Sequence, residues 1–423
     1  MRIPLLVVCA AVTAAGTTPL VAQDTLGRGS VTLLHVLDSV AARYPSLEAA
    51  RARIRAARGS RSTAGALGNP VLMYQVENAP DREMMLTATL PLEPLYQRWS
   101  RVSGANAEIR AAEADAQAER QRIGLDATRA FYRMAHAQVA LAAARDLAAW
   151  LDSVVAYNRT RVREGVAAEA DLIRSELERD RAAADASLQE ADLARARADL
   201  GVFLSDEPAP FRVAALDAPL ALPDVSPASG AGRTRPDIRA ARERVAVAGA
   251  GVTTERASLI RQLGLTVGTK RTAGTTSLIA GVSMPFPLFD QNRGAIARAA
   301  AEREAAAFDL AAQERIGRAE IVGASESARL LTERARLLAG ADPGQGYLAR
   351  ADEARRIALG AYREGAVPLI QVIDAARAWG EAQLVYYQIL YAQHESVIQL
   401  LVAEGVDIAS ALPALTVGAE ARP

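Results

Sequence analysis

The stretch RVREGVAAEADLI (161–173) returns later in the chain as AYREGAVPLIQVI (361–373). Both copies carry Arg-Glu-Gly where a helix would end, which predicts a glycine-stopped helix reversing into a second one. Outward from these turns, LPLEPLYQR (90–98) answers MPFPLFDQNR (284–293), and YPSLEAARARI (44–54) answers RPDIRAARERV (235–245). The three displacements are 200, 194 and 191 residues, so order and spacing are both kept. A period this long is far above that of solenoid repeats and marks a duplicated half. The expected organisation is a first repeat over 23–204, a connector over 205–234, a second repeat over 235–406 and a tail over 407–423. The connector, SDEPAPFRVAALDAPLALPDVSPASGAGRT, is rich in Pro, Ala, Ser and Gly and reads as a linker with no element of its own.

Each half follows one grammar. A first helix is expected over 32–66 and over 236–262, with Leu34, Leu37, Val40 and Ala41 in helical spacing. A β-hairpin follows, over about 70–92 and about 262–284. Its strands are VLMYQVENA (71–79) and EMMLTATLPL (83–92), split by Pro80-Asp81, then QLGLTVGTKR (262–271) and TTSLIAGVSM (275–284), split by Thr272-Ala273-Gly274. Leu263, Leu265 and Val267 alternate with Gln262, Gly264, Thr266 and Gly268, as a strand with one apolar face requires. A proline junction then opens a long helix pair, 98–203 in the first half and 292–404 in the second. The first long helix, about 98–162, would run on the order of 95 Å, more than a globular core needs. AGADPGQG (339–346) interrupts its counterpart, because Pro343 cannot continue a helix.

Composition agrees. The chain is 50% hydrophobic but 4% aromatic, so its apolar share is mostly Ala, Leu and Val, the residues of close-packed helices. With 49 basic and 49 acidic side chains it lacks the positive field of a nucleic-acid binder. One cysteine excludes a disulfide framework and a Cys-based metal site. The histidines His35, His136 and His394 lack ligand spacing and read as core or solvated residues. No phosphate loop and no nucleophile elbow appears, so no catalytic chemistry is expected.

Arg2, the apolar run IPLLVVCAAVTAA and the small residues before Gln23 read as a signal peptide over 1–22, cleaved after Ala22. Cys9 lies inside its apolar core and leaves with it. No later apolar run is long enough for a spanning helix, so a membrane role would fall to a β-barrel or a surface contact. Strands of about nine residues match a tilted membrane strand. Four strands cannot close a barrel, so several copies would have to share one.

YPSLEAAR and RPDIRAAR, the junctions LPLEP and MPFPLFDQNRG, and the turns VREGVAAEADLIRSEL and YREGAVPLIQVIDAAR together resemble the TolC-type outer-membrane efflux family over about residues 32–406. The resemblance implies a mainly α fold with a small β part and a homotrimer. Each chain would give four strands to a twelve-stranded outer-membrane barrel in lipid, and its helices to a periplasmic α-barrel. It further implies no enzyme activity and no cofactor, and partners in a periplasmic adaptor and an inner-membrane RND-type pump. NPVLMYQVENAP (69–80) is similar to the opening strand of the branch that exports heavy-metal cations. A type I secretion duct and a soluble periplasmic coiled-coil scaffold stand as alternatives.

Relatives carry inward-facing acidic residues at the pore constriction, and Asp374 matches that position. Gln371, three residues earlier, stands where a second acid is common, and Asp171 is its counterpart in the first copy. The tips Arg163-Glu164-Gly165-Val166 and Tyr362-Arg363-Glu364-Gly365-Ala366-Val367 match the end that meets the adaptor's helical hairpin.

Overall fold

The computed structural model describes residues 30–77, 82–204, 211–214, 218–223, 235–258, 263–284, 288–340 and 344–413. The leader 1–22, the Pro80-Asp81 turn, Gln262, Pro343 and the end of the tail lie outside the described residues. In chain order the first half runs β1 (Ser30–Val31), α1 (Leu33–Arg43), α2 (Pro45–Gly65), β2 (Val71–Glu77), β3 (Glu83–Pro91), α3 (Glu93–Arg163) and α4 (Glu169–Gly201). After β4 (Arg212–Val213) come α5 (Pro236–Ala257), β5 (Gly264–Thr272), β6 (Thr275–Ser283), α6 (Arg293–Ala339), α7 (Tyr347–Arg363) and α8 (Leu369–Glu404).

The helix expected over 32–66 is two helices. Pro45 forces Tyr44 into extended backbone (φ −67°, ψ 127°), which ends α1 and lets Pro45 open α2 without wasting a donor. The buried stripe of α1 keeps Leu37 and Val40 of the expected set but takes Leu33 and Val36 in place of Leu34 and Ala41. Leu33, Val36, Leu37 and Val40 are buried, while Leu34 is exposed. The second-half helix stops at Ala257.

Helix α3 is 71 residues long, roughly 105 Å, and packs against α2, α4, α5 and α8. Its counterpart is split into α6 and α7 across 340–346. The largest core lies midway along α3, where α1, the end of α4 and the end of α8 close over Ile123, Phe131 and Met134. A smaller cluster of Val154, Tyr362, Leu369, Val372 and Ile373 sits near the tips.

The connector is more than a linker. Arg212–Val213 forms a strand parallel to Ser30–Val31, and the Gln138 side chain bonds both backbone groups of Val213, at 2.9 and 3.2 Å. Leu220 is buried against the same core. These partners come from distant residues, which is why composition alone reads the segment as loop. The tail likewise begins as structure: 408–413 is helical and Ile408 is buried.

Four strands form one antiparallel sheet in the order β2–β3–β5–β6. The hairpins of the two halves join through β3 and β5, registered from Glu83↔Thr272 to Pro91↔Gly264. Ala273 and Gly274, both at positive φ (51° and 87°), make the two-residue turn that the twist of a hairpin favours.

Candidate functional site

The helix pairs end in matching turns. Gly165 N–H donates to Val162 C=O at 3.0 Å and Val166 N–H to Arg161 C=O at 2.9 Å. Gly365 N–H donates to Tyr362 C=O at 3.0 Å and Ala366 N–H to Ala361 C=O at 2.8 Å. This paired pattern is the Schellman closure, which needs a left-handed residue; Gly165 (φ 75°) and Gly365 (φ 77°) supply it without a Cβ penalty. Arg163, Glu164, Val166, Arg363, Glu364 and Ala366 are exposed around the turns, and Val367 packs on the tip cluster.

Just inside the tips, polar and aromatic groups tie α3 to α7. Tyr362 is buried and its hydroxyl donates to Asn158 Oδ1 at 2.6 Å. The Arg161 guanidinium lies 5.6 Å from the ring centroids of both Tyr157 and Tyr362. Burial pushes the Tyr362 phenol up, with the nearby Asp171 charge adding to it and Arg161 opposing. One level further in, Arg355 of α7 is held between Trp379 (4.2 Å) and Trp150 (5.7 Å) and pairs with Asp352 at 2.8 Å.

Tyr362→Phe is expected to leave Asn158 Oδ1 buried without its donor, at a cost of about 1–2 kcal/mol. Amide exchange over 355–366 should then quicken about fivefold to thirtyfold while exchange around Phe131 stays unchanged. Unchanged exchange at the tip would show that the bond does not hold α7.

The three residues singled out near the tips occupy different settings. Asp171 and Gln371 stand at equivalent places in the first turns of α4 and α8, their N–H groups bonded to Ala168 C=O and Pro368 C=O. Asp171 suits a helix N-terminus, where the dipole favours negative charge. Gln371 is exposed. Asp374, one turn further on, has 62% of its side chain exposed and lies 3.9 Å from Arg377 Nη1. Arg377 also pairs with Glu178 of α4, so the cation beside Asp374 is shared between two helices.

At the other end of the molecule the sheet has two unlike faces. Register puts Leu72 and Tyr74 of β2 beside Ala88 and Leu86 of β3, then Val267 and Thr269 of β5, then Ala280 and Leu278 of β6. This face continues through Leu90, Leu265 and Val282 and is open: Leu72 is 73% and Leu278 76% exposed. The reverse face is the less exposed one on the central strands β3 and β5, with Val71, Met73, Met85 and Ile279 among its Thr, Ser and Gly residues. There Thr89 and Thr266 hydroxyls bond at 2.9 Å, Lys270 meets Glu83 at 2.6 Å, and Thr87 is buried. Alternation of apolar outside and polar inside is the pattern of a lipid-bounded barrel wall. Among the described residues, no other strand pairs with the outer edges of β2 and β6.

Sequence reasoning missed Asn158, Arg161, Arg355 and Lys270, whose partners lie across the fold and leave no local spacing. Among the described residues no helix is long and apolar enough to cross a membrane, and no group of three His, Cys, Asp or Glu is placed to hold a metal ion.

Long paired helices reversing at glycine tips, with a two-faced sheet at the far end, define the outer-membrane channel fold. Residues 229–406 match the family described as outer membrane efflux protein. Solved structures share the architecture across most of the chain. OprN, an outer-membrane channel, is 22% identical with a TM-score of 0.77, covering 89% of this chain and 90% of its own. The CmeC outer membrane channel of Campylobacter jejuni is 14% identical with a TM-score of 0.76, covering 96% and 97%. The MtrE outer membrane channel of Neisseria gonorrhoeae, in its open state, is 18% identical with a TM-score of 0.71, covering 88% and 89%. No curated protein matches the chain by sequence.

Proposed function

We propose that the chain is a subunit of an outer-membrane efflux channel, exported by its leader and assembled as a homotrimer. Twelve strands, four from each copy, close one barrel, because a four-stranded sheet with unpaired edges cannot stand alone in lipid. The helices form a periplasmic tube whose tips receive a periplasmic adaptor and, through it, an inner-membrane RND-type pump. Conduction is passive and the pump supplies the energy. The observation that carries this reading is the sheet: an open apolar face of membrane height opposite a more polar, less exposed one. A periplasmic scaffold would have no use for that face. Metal cations or small toxic compounds are the cargo we assign, with metal favoured by the likeness of 69–80 to the metal-exporting branch.

Asp374, exposed beyond the tip turn, is placed in this reading at the narrow end of the tube, where threefold symmetry makes a ring of carboxylates. Asp171 adds a second acidic position beside it, and Gln371 leaves that level uncharged in α8. In planar bilayers the purified protein should give discrete, cation-preferring conductance steps. Asp374→Ala should lower the cation-to-anion permeability ratio on the order of twofold, with trimer yield unchanged. A protein that never inserts, or a purely soluble monomer, would sink the reading; equal selectivity in the variant would remove Asp374 alone.

A further inference from the structure

Of the 49 basic side chains, 48 are arginine and one is lysine. That one, Lys270, stands on the less exposed face of β5, three residues before Ala273 and so at the turn end of the sheet, remote from the helices. Its Nζ lies 2.6 Å from Glu83 Oε2. The pair is diagonal, since Glu83 registers with Thr272 and Lys270 with Met85, a separation that long side chains bridge. The Thr272 hydroxyl donates to the other Glu83 oxygen at 3.1 Å, fixing the carboxylate from a second side. Glu77 registers directly opposite Glu83 and shares this face. Among the described strand residues, the turn end of this face therefore carries two carboxylates, Glu77 and Glu83, and one ammonium per chain. Elsewhere the cations are guanidinium groups, which fork onto carboxylates and stack on rings; here it is a compact point charge.

We infer that Lys270 sets the ion preference of the duct's outer mouth by neutralising Glu83. This rests on the channel reading, under which three Lys270–Glu83 pairs ring the exit. The exit then has its own charge filter, separate from Asp374 near the tips. Without Lys270, Glu83 and Glu77 would act on passing ions as two carboxylates per chain.

The test is the reversal potential across a KCl gradient for wild type, Lys270→Met, Glu83→Gln and the double variant. Lys270→Met should raise the cation-to-anion permeability ratio about twofold or more, and Glu83→Gln should lower it. The double variant should return to the wild-type value, since it restores charge balance without restoring the bond. If the pair only braces the sheet, both single variants will keep the wild-type ratio, and the inference falls. If Lys270→Met does not assemble, the folded wild type answers instead. Succinic anhydride added on the barrel side turns the lysine amine into a tethered carboxylate and should raise the ratio further. An unmoved ratio after confirmed acylation of Lys270 would overturn the inference. Absence of any channel in the wild type would overturn the channel reading together with it.

Discussion

Under the proposed channel reading, Gly268→Val should abolish trimer assembly in the outer-membrane fraction while leaving helix content intact. Gly268 of β5 registers with Thr87 of β3, and the strands approach there more closely than any side chain allows. A Cβ at Gly268 would lie 2.3 Å from Leu86 O and 2.7 Å from both Cα and Cγ2 of Thr87. Two of those atoms are backbone, so no rotamer change relieves the overlap. The penalty should exceed the roughly 1–3 kcal/mol of ordinary overpacking. It also falls at the one seam that joins the two halves of the sheet. Splitting β3 from β5 leaves two isolated hairpins, which are marginal on their own. Even Gly268→Ala should therefore lose most heat-resistant trimer on an unboiled gel. Gly281→Ala is the control: a Cβ there meets nothing within 4 Å, and assembly should survive. Normal trimer yield in Gly268→Ala would show that the strands can separate at this point without consequence.

Such a close approach is invisible in the sequence, where Gly268 is one of several glycines interleaved with strand residues. What was legible had a local physical cause. The twin tip turns follow from Arg-Glu-Gly at matching places, because a left-handed residue must close a Schellman turn. Strand limits were readable to within two residues from the alternation in 262–271 and 275–284. The break between α1 and α2 is not legible from the pattern, because the apolar periodicity runs through Pro45 even though that proline disfavours helical backbone at Tyr44. In α1 the pattern picks out Leu37 and Val40 but not Leu33, because Leu33 and Leu34 are adjacent and packing against α3 decides between them. The connector failed for a different reason. Its order comes from Gln138 and Gln393, two amide side chains far away in the chain. Lys270 and Glu83 are likewise far apart in sequence, and only the register of β3 on β5 brings them together. Around the tips, Asp374 follows from the resemblance to the efflux family, whereas Arg377 beside it, shared with Glu178, leaves no local signal in the sequence.

The second large effect concerns that connector. Gln393 of α8 is fully buried and grips Leu220 like a strand neighbour: its Oε1 accepts Leu220 N–H at 3.0 Å and its Nε2 donates to Leu220 C=O at 2.9 Å. The next residue, His394, is also fully buried and meets Ala218 C=O through Nε2 at 2.9 Å. A carbonyl only accepts, so Nε2 must carry the proton and Nδ1 is bare, without a hydrogen-bond partner among the described residues. Tyr132 of α3 closes the ring's side edge-on at 5.4 Å. Burial lowers the His394 pKa to about 4, the carbonyl contact opposing in part. The sign follows from proton counting. The released imidazole binds a proton near pH 6.5, whereas the buried one stays neutral until about pH 4. The contribution of His394 is therefore complete above pH 6.5 and is lost as pH falls toward 4, about 2 kcal/mol being gone by pH 5. Between pH 7 and pH 5, the protection of the Leu220 amide, its exchange rate relative to that of an unprotected amide at the same pH, should fall by roughly tenfold to thirtyfold. His394→Gln keeps a donor for Ala218 C=O but cannot titrate, so its protection at Leu220 should be nearly flat across that range. Gln393→Ala should free the segment at every pH, because it strands two buried backbone groups at once. An equal pH response in wild type and His394→Gln would place the titrating group elsewhere.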